Sequence, residues 1–230
     1  MEWLFSRGAR RLRKTLWSAT ALWRAKRAGV VLGPENFCLA ASLKPRVVLD
    51  VGTGHQPSFS AWVRSNGDAF VILCDPTPKH RSALAQWVAA DGNGVFLELA
   101  LSPVDGPVEF FESASQESGS LVGSHRNRST GGRSVVVQGV SLPTLLTTCM
   151  RYGSVQLVKI DVEGSEFSVF TRSADTERAL LMVEQWLVEF HPVPQTRIPF
   201  WRVLSVVRQF KQLGFRAFTP NGVDYLFWRP

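Results

Sequence analysis

The stretch Arg46-Val-Val-Leu-Asp-Val-Gly-Thr-Gly54 decides the fold of this chain. Its apolar residues lack the alternation of a strand with one wet face, so both faces should be covered, as in the parallel sheet of an α/β domain. Gly52 and Gly54 then allow a sharp turn and a close approach of the backbone to a ligand, before a helix predicted from Pro57. An ordinary strand-to-helix turn is the alternative interpretation.

A second apolar strand is predicted from Ala69 to Cys74, and Asp75 follows it directly. In α/β nucleotide sites, an acid at the tip of the second strand holds the ribose by its hydroxyl groups. The glycine turn and Asp75 together therefore predict a nucleotide-like cofactor.

Composition and charge indicate one globular domain with a basic appendage. The chain has 230 residues, of which 45% are hydrophobic and 20% charged, with a net charge of +7. The first 28 residues contain eight Lys or Arg and one acid, which leaves 18 basic and 18 acidic residues in the remainder. Because the remainder is neutral, its charge argues against a broad nucleic-acid-binding face, and no nucleic acid partner is expected.

Residues 1–33 are predicted to form a basic amphipathic arm, and residues 34–230 the main domain. In the arm, Phe5, Leu16 and Trp23 fall on one helix face and several arginines on the other. Two interpretations remain open: an interfacial helix on an anionic membrane, or a helix that packs on its own domain. The apolar part is too short to span a bilayer, and it does not fit a signal peptide. A cytoplasmic protein is expected, with peripheral contact to the inner face of a membrane through residues 1–28 under the first interpretation.

The three cysteines, Cys38, Cys74 and Cys149, are odd in number and widely spaced. They form no Cys-x-x-Cys or Cys/His ligand pattern. A reducing compartment without a structural zinc site is the simpler inference.

Periodicity and turn residues predict the remaining elements. Helices are predicted at Pro34 to Leu43, Ser58 to Ser65, Pro78 to Val88, Leu142 to Met150 and Phe200 to Leu213. Strands are predicted at Val95 to Leu101, Val108 to Phe111, Ser134 to Gln138, Val155 to Asp161, Leu187 to His191, Phe215 to Thr219 and Val223 to Trp228. The polar segment from Glu112 to Arg133 is not expected in the core and is interpreted as a functional lid rather than a disordered insert. Pro192 to Pro199 is predicted to be a loop.

The stretch Val158-Lys-Ile-Asp-Val-Glu-Gly-Ser-Glu-Phe167 resembles the hallmark of FkbM-type methyltransferases, in which a strand ending Lys-Ile-Asp precedes Glu-Gly and a small residue before Glu. Supporting matches are Leu49-Asp-Val-Gly52, Asp75-Pro76, Ala100-Leu-Ser102, Ser120-Leu-Val122, Val140-Ser-Leu142 and Glu189-Phe-His191. The resemblance covers roughly Val47 to His191 and departs from the family at Thr53-Gly54-His55-Gln56. It implies an α/β, Rossmann-like class I methyltransferase with a seven-stranded, mostly parallel sheet and a C-terminal antiparallel hairpin.

The resemblance also implies S-adenosyl-L-methionine as the cofactor and assigns residues to it. Gly52 and Gly54 would approach the methionine moiety, and Asp75 would take the ribose hydroxyls. Leu101 and Ser102 would flank the adenine. Asp50 would orient the turn or reach the ammonium group.

The predicted catalytic residues are Asp161, Glu163, Glu189 and His191. They follow two strands of the sheet, at the carboxyl ends where open α/β sheets bind ligands. His191 or Asp161 is the expected base for an acceptor hydroxyl, since an imidazole titrates near neutrality. Alternatively, Asp161 and Glu163 cap the next helix, and Glu189 and His191 are ordinary polar residues at a strand end. Two or three carboxylates and one imidazole would suit Mg or Mn as well as a base, but the pattern fixes no ligand geometry, and no metal is predicted.

Three functions are compatible with these observations. The first is an S-adenosylmethionine-dependent O-methyltransferase that acts on a hydroxyl of a sugar, a glycan or another small acceptor. The second is a catalytically inactive methyltransferase-like module, tethered by its basic arm to a membrane or acidic partner. The third, a nicotinamide-dependent oxidoreductase, is disfavoured by the terminal hairpin.

Overall fold

The computed structural model describes residues 19–112, 119–122, 133–192 and 198–230. Its helices are residues 19–28 (α1), Ser58–Ser65 (α2), Arg81–Asp91 (α3), Leu142–Cys149 (α4), Glu166–Val169 (α5), Ala174–Leu181 (α6) and Trp201–Gln212 (α7). Its strands are Val30–Leu32 (β1), Cys38–Ala40 (β2), Val47–Val51 (β3), Phe70–Cys74 (β4), Gly94–Leu97 (β5), Ala100–Leu101 (β6), Gly106–Glu112 (β7), Gly119–Ser120 (β8), Ser134–Val140 (β9), Leu157–Ile160 (β10), Gln185–Glu189 (β11), Arg216–Phe218 (β12) and Asp224–Trp228 (β13).

The central sheet has seven strands in the order β12-β13-β11-β10-β3-β4-β5. Strands β11, β10, β3, β4 and β5 run parallel to one another, whereas β13 is antiparallel to both β11 and β12. The sequence order reverses between β3 and β10, which lie side by side. The predicted fold class, including the C-terminal antiparallel hairpin, is confirmed.

Helices cover both faces of the sheet, as the uninterrupted apolar strands require. One core holds side chains from α4, α6 and α7 against residues such as Leu49 and Trp186. The other core holds side chains from α2 and α3 against residues such as Val48 and Leu187. Because neighbouring residues of one strand point into different cores, each strand is apolar on both sides.

A smaller sheet of four strands, in the order β6-β9-β7-β8, adjoins the central one. The single strand predicted from Val95 to Leu101 is therefore wrong: β5 ends at Leu97, and β6 belongs to the smaller sheet. The amide of Leu99 donates to the carbonyl of Leu97 at 3.0 Å, which is a tight turn that redirects the chain between the two sheets.

The helix predicted from Pro34 to Leu43 is also wrong. A short 3₁₀ helix, Pro34–Asn36, is followed by β2, which pairs antiparallel with β1. Glu35 and Asn36 have φ angles of 52° and 61°, and this left-handed backbone cannot continue an α-helix.

The N-terminal segment packs on the domain through part of its surface. Ala25 of α1 and Val30 of β1 are buried in the core beneath β1 and β2. Phe5 and Leu16, used to predict the amphipathic arm, lie outside the described residues. The division between residues 33 and 34 remains a prediction.

Two predicted loops are described only in part. In the segment from Glu112 to Arg133, Glu112 and Ser120 are buried strand residues, so the expectation that this segment avoids the core is wrong for its ends. Residues 113–118 and 123–132, on which the lid prediction depends, lie outside the described residues, as do residues 193–197. Across the described ranges, no helix combines the length and the apolar character that a membrane crossing requires.

Candidate active site

A cavity of about 450 Å³ opens at the carboxyl ends of β3, β4, β10 and β11. This is the edge at which open parallel sheets bind ligands, beside the point where the strand order reverses. Its wall includes residues of the glycine turn, the ends of four strands and the smaller sheet, among them Gly52, Gly54, His55, Asp75, Leu101, Phe110, Leu121, Lys159, Asp161, Glu163, Ser165 and Glu189.

The glycine turn is held against two strands. Gly52 and Gly54 have φ angles of 73° and 71°, in the region that favours glycine. The amide of Gly52 donates to the carbonyl of Cys74 at 2.8 Å. A Cβ atom on Gly52 would lie 1.7 Å from the carbonyl oxygen of Asp161, whereas one on Gly54 would meet no atom within 4 Å. The first glycine allows a close backbone contact, and the second leaves open space beside the cavity.

Asp75 lies at the tip of β4 and lines the cavity. Its Oδ2 accepts a hydrogen bond from the amide of Gly54 at 2.8 Å, and its Oδ1 accepts from the amide of Thr77 at 2.9 Å. Nδ1 of the buried His80 is 3.1 Å from Oδ1. Burial opposes ionisation, but the interactions with His80 and Thr77 outweigh it and lower the pKa of Asp75. The carboxylate thus fixes the turn as well as facing the cavity.

Asp50 and Ser102, both predicted to bind the cofactor, do not line this cavity. Asp50 is buried, accepts a hydrogen bond from Ser60 Oγ at 2.8 Å and lies 3.8 Å from Lys159 Nζ. Burial raises its pKa. Ser102 is also buried, and its hydroxyl donates to the carbonyl of Val104. Leu101, in contrast, forms part of the cavity wall.

The four predicted catalytic residues come together at one end of the cavity. Nε2 of His191 is 3.7 Å from Asp161 Oδ1 and 3.6 Å from Glu163 Oε2. The same nitrogen is 3.6 Å from Glu189 Oε1. We call these four residues the acid–histidine cluster. Asp161, Glu163 and Glu189 line the cavity directly, whereas His191 is buried behind them.

Glu166 holds the histidine of this cluster and is fully buried itself. Its Oε1 accepts hydrogen bonds from the His191 amide at 2.5 Å and lies 3.2 Å from Nδ1. Its Oε2 accepts from the amide of Gly164 at 2.8 Å. Glu166 therefore joins the loop after β10 to the end of β11.

The charges around His191 overturn the expectation that its imidazole titrates near neutrality. Burial favours the neutral ring, but the hydrogen bond to Glu166 and the charges of Glu166, Asp161 and Glu163 raise the pKa of His191 to about 10. A ring that holds its proton at neutral pH cannot accept another.

Lys159 places a cationic group beside the acid–histidine cluster. Its Nζ is 3.1 Å from Asp161 Oδ2, and the nearby charges of Asp161 and Asp50 raise its pKa despite burial. Burial, followed by the charges of Asp161 and Asp224, raises the pKa of Glu189 to about 8. Carboxylates thus outnumber cationic groups at this end of the cavity.

Sequence reasoning assigned no role to Lys159 or Glu166. The signal for Lys159 was a charged residue inside an otherwise apolar strand. The signal for Glu166 was an acidic residue at the start of a helix, α5, whose first residues are buried. Buried charges are retained where they have partners.

The sheet order and the position of the cavity define a Rossmann-like class I methyltransferase, which binds S-adenosyl-L-methionine. The family model of the FkbM methyltransferase domain matches residues 50–217, and this chain belongs to that family. The match contains the glycine turn, Asp75 and the whole acid–histidine cluster.

Solved structures with a similar chain path are distant in sequence. Fibrillarin from Methanococcus jannaschii has a TM-score of 0.47 and 10% identity, covering 87% of this chain and 70% of that one. An rRNA methylase from Streptococcus thermophilus has a TM-score of 0.42 and 12% identity, covering 80% and 85%. Aeropyrum pernix fibrillarin, with natively bound S-adenosyl-L-methionine, has a TM-score of 0.41 and 10% identity, covering 80% and 65%. No curated protein matches the chain.

The cavity fits the cofactor of the family. The missing side chain of Gly54 leaves room beside the turn, and Leu101 and Phe110 provide an apolar wall. Asp75 presents a buried acid at the position where a ribose is bound. S-adenosyl-L-methionine is the cofactor.

Proposed function

We propose that this methyltransferase modifies a hydroxyl group on a sugar, a glycan or another small acceptor. The observation that carries the proposal is the acid–histidine cluster, which lies in the same cavity as the glycine turn. Carboxylates accept hydrogen bonds from hydroxyl groups, and one of them can also take the proton that the hydroxyl loses. O-methylation requires both actions.

The cofactor would be held by the glycine turn and Asp75, with Leu101 against the adenine. When bound, it supplies an electrophilic methyl group on a sulfonium. The two ends of the cavity meet at Gly52, whose Cα approaches the backbone of Asp161. The cluster is therefore placed to hold an acceptor next to the cofactor and to exclude water.

The proton acceptor is assigned to a carboxylate of the cluster. Asp161 binds Lys159 through Oδ2 and directs Oδ1 toward His191, while Glu189 lies at the end of β11 and lines the cavity. His191 orients these carboxylates and balances their charge. We infer that Glu189 takes the proton of the acceptor hydroxyl, because a carboxyl group with a pKa of about 8 is an effective base near neutral pH, with His191 as a positioning group.

We also infer that the N-terminal arm contacts an anionic membrane. On α1, Ala21 and Ala25 are buried, whereas Leu22 and Trp23 are 57% and 56% exposed. The guanidinium of Arg27 lies 4.8 Å from the centre of the Trp23 ring. Exposed aromatic and basic side chains on one helix suit an interfacial position on anionic lipid.

The function is tested with the purified chain, labelled cofactor and a panel of hydroxylated sugars. Mass spectrometry is expected to identify an O-methyl ether. Glu189→Gln should lower turnover about 10²- to 10⁴-fold, the usual contribution of a positioned base. Glu184→Gln is the matched control, because it removes an exposed carboxylate just before the other end of the same strand. Methylation at nitrogen, or equal turnover in both variants, would contradict the proposal.

A further inference from the structure

His191 is fixed in the orientation of a metal ligand. Glu166 can only accept hydrogen bonds as a carboxylate, so its contact with Nδ1 at 3.2 Å makes that nitrogen the donor. The other ring nitrogen, Nε2, then points toward Asp161, Glu163 and Glu189. A carboxylate behind one nitrogen and an ion before the other is the usual arrangement of metal-binding histidines.

The spacing around Nε2 suits ligands of one ion. The carboxylate oxygens of Asp161, Glu163 and Glu189 are 3.6–3.7 Å from this nitrogen. Ligand atoms at about 2.1–2.3 Å from a shared ion lie roughly 3.0–3.8 Å apart in octahedral or tetrahedral arrangements. Charge-assisted hydrogen bonds are shorter, at about 2.7–2.9 Å. One ligand atom each from Asp161, Glu163 and His191 lies within 4.8 Å of the others.

One carboxylate of the group is positioned by a neighbouring residue, and another belongs to a residue with a strained backbone. Lys159 binds Oδ2 of Asp161 and leaves Oδ1 directed at His191. Glu163 has a φ angle of 51°, an unfavourable conformation for a residue with a side chain. Strain of this kind is retained where the surrounding structure requires it, often at ligand sites.

A second observation comes from a buried hydroxyl group in the same cavity. Ser165 is 1% exposed and lines the cavity two residues after Glu163. Its hydroxyl oxygen has no hydrogen-bond partner among the described residues. An unpaired buried hydroxyl is costly unless a ligand or an ion-bound water satisfies it.

We propose that Asp161, Glu163 and Nε2 of His191 bind one divalent cation, although the sequence alone predicts no metal. Two carboxylates with one imidazole suit Mn²⁺ best, because oxygen ligands favour Mg²⁺ and Mn²⁺ while imidazole favours transition metals. The role of the ion rests on the proposed function: it would bind the acceptor hydroxyl and ease the loss of its proton. Ion binding itself requires neither cofactor nor acceptor. It releases the Nε2 proton of His191 to solvent, because the cation takes over the charges of Asp161 and Glu163 that hold this proton.

The test is a titration of the 230-residue chain with Mn²⁺ after a chelator has removed any bound metal. Binding is measured as the loss of the electron paramagnetic resonance signal of free Mn²⁺. One Mn²⁺ per chain is expected. Glu163→Gln should weaken binding at least about tenfold, and Glu166→Gln about 10- to 100-fold, as for other groups that orient a metal-binding histidine. Glu184→Gln should bind as the parent does.

No Mn²⁺ binding by the parent chain, or equal binding by Glu163→Gln and Glu184→Gln, would overturn the proposal. Circular dichroism on each variant verifies the fold, and Glu163 is a suitable target because its side chain is 25% exposed. Calorimetry with S-adenosyl-L-methionine on the same samples separates the two claims. Cofactor binding and O-methylation without Mn²⁺ binding would reject the ion and leave the proposed function intact.

Discussion

Gly52→Ala is expected to lower the free energy of unfolding of the ligand-free protein more than Gly54→Ala does. This difference is expected although both glycines have nearly the same backbone conformation. Their φ angles are 73° and 71°. The surroundings differ: a Cβ on Gly52 would lie 1.7 Å from the carbonyl oxygen of Asp161, and one on Gly54 would meet nothing within 4 Å. The pair therefore separates the cost of the left-handed conformation from the cost of the close contact.

The left-handed conformation costs an alanine about 1–2 kcal/mol, part of which is offset because alanine restricts the unfolded chain. Gly54→Ala should thus lose about 1 kcal/mol. Gly52→Ala must also separate two backbone segments that are pinned in place, since Gly52 donates to Cys74 and the Asp161 amide donates to Val51. Overpacking typically adds about 1–3 kcal/mol, which gives about 2–4 kcal/mol for this variant.

Thermal unfolding without ligand measures the difference. For a domain of this size, 1 kcal/mol corresponds to about 2–4 °C in Tm. Gly54→Ala should lower Tm by about 2–4 °C and Gly52→Ala by about 4–16 °C. Calorimetry should show weaker binding of S-adenosyl-L-methionine by both, by at least about tenfold for Gly52→Ala. Equal Tm values for the two variants would refute the close approach of Gly52 to Asp161.

Three further substitutions or truncations test other parts of the structure. Asp75→Ala should weaken cofactor binding by about 1.5–3 kcal/mol and lower Tm, because Asp75 also holds the Gly54 amide; an unchanged Kd in calorimetry would remove it from the site. Glu163→Gly should keep Tm within about 3 °C of the parent, because glycine removes the strain at a φ angle of 51° but makes the unfolded chain more flexible, and the two effects roughly cancel. A large fall in Tm would show that the side chain of Glu163 supports the fold. Removal of residues 1–18 should reduce sedimentation with anionic vesicles, as five cations at about 1 kcal/mol each are lost, and high salt should have the same effect on the parent; unchanged sedimentation would contradict membrane contact by these residues.

The central sheet could be predicted because its strands carry their own signals. β3, β4 and β10 are short apolar runs without alternation, which indicates burial on both faces. The Pro-Asn-Gly turn before β13 marks the terminal hairpin. These signals are local, so the sequence window that contains them is sufficient.

The parts that could not be predicted depend on contacts distant in sequence. Leu101 of β6 pairs with Val140 of β9, a partner almost forty residues away, and the residues of neither strand indicate that they form a second sheet. Similarly, Glu35 and Asn36 adopt left-handed conformations that residues with side chains rarely take. A single-sequence pattern therefore predicts a helix where the β1–β2 hairpin forms.

The candidate site was predictable to the extent that strand ends determine it. Parallel strands end at the same edge, so Asp161 and His191 were expected to lie together, and the 3.7 Å separation agrees with this. The protonation of His191 was not predictable. It depends on Glu166, whose inward direction follows from the loop after β10 and from hydrogen bonds to Gly164 and His191.

The two ends of the cavity are mechanically coupled through the backbone of Gly52 and Asp161. The amide of Asp161 donates to Val51 at 3.0 Å, and the carbonyl of the same residue occupies the space that any side chain on Gly52 would need. Asp161 also directs one carboxylate oxygen to Lys159 and the other toward His191. A shift of the glycine turn would therefore move a carboxylate of the acid–histidine cluster, since rigid packed segments transmit displacement rather than absorb it. This coupling explains why a bare backbone is required at residue 52: a side chain there would displace the carbonyl of Asp161 and, with it, one carboxylate of the acid–histidine cluster.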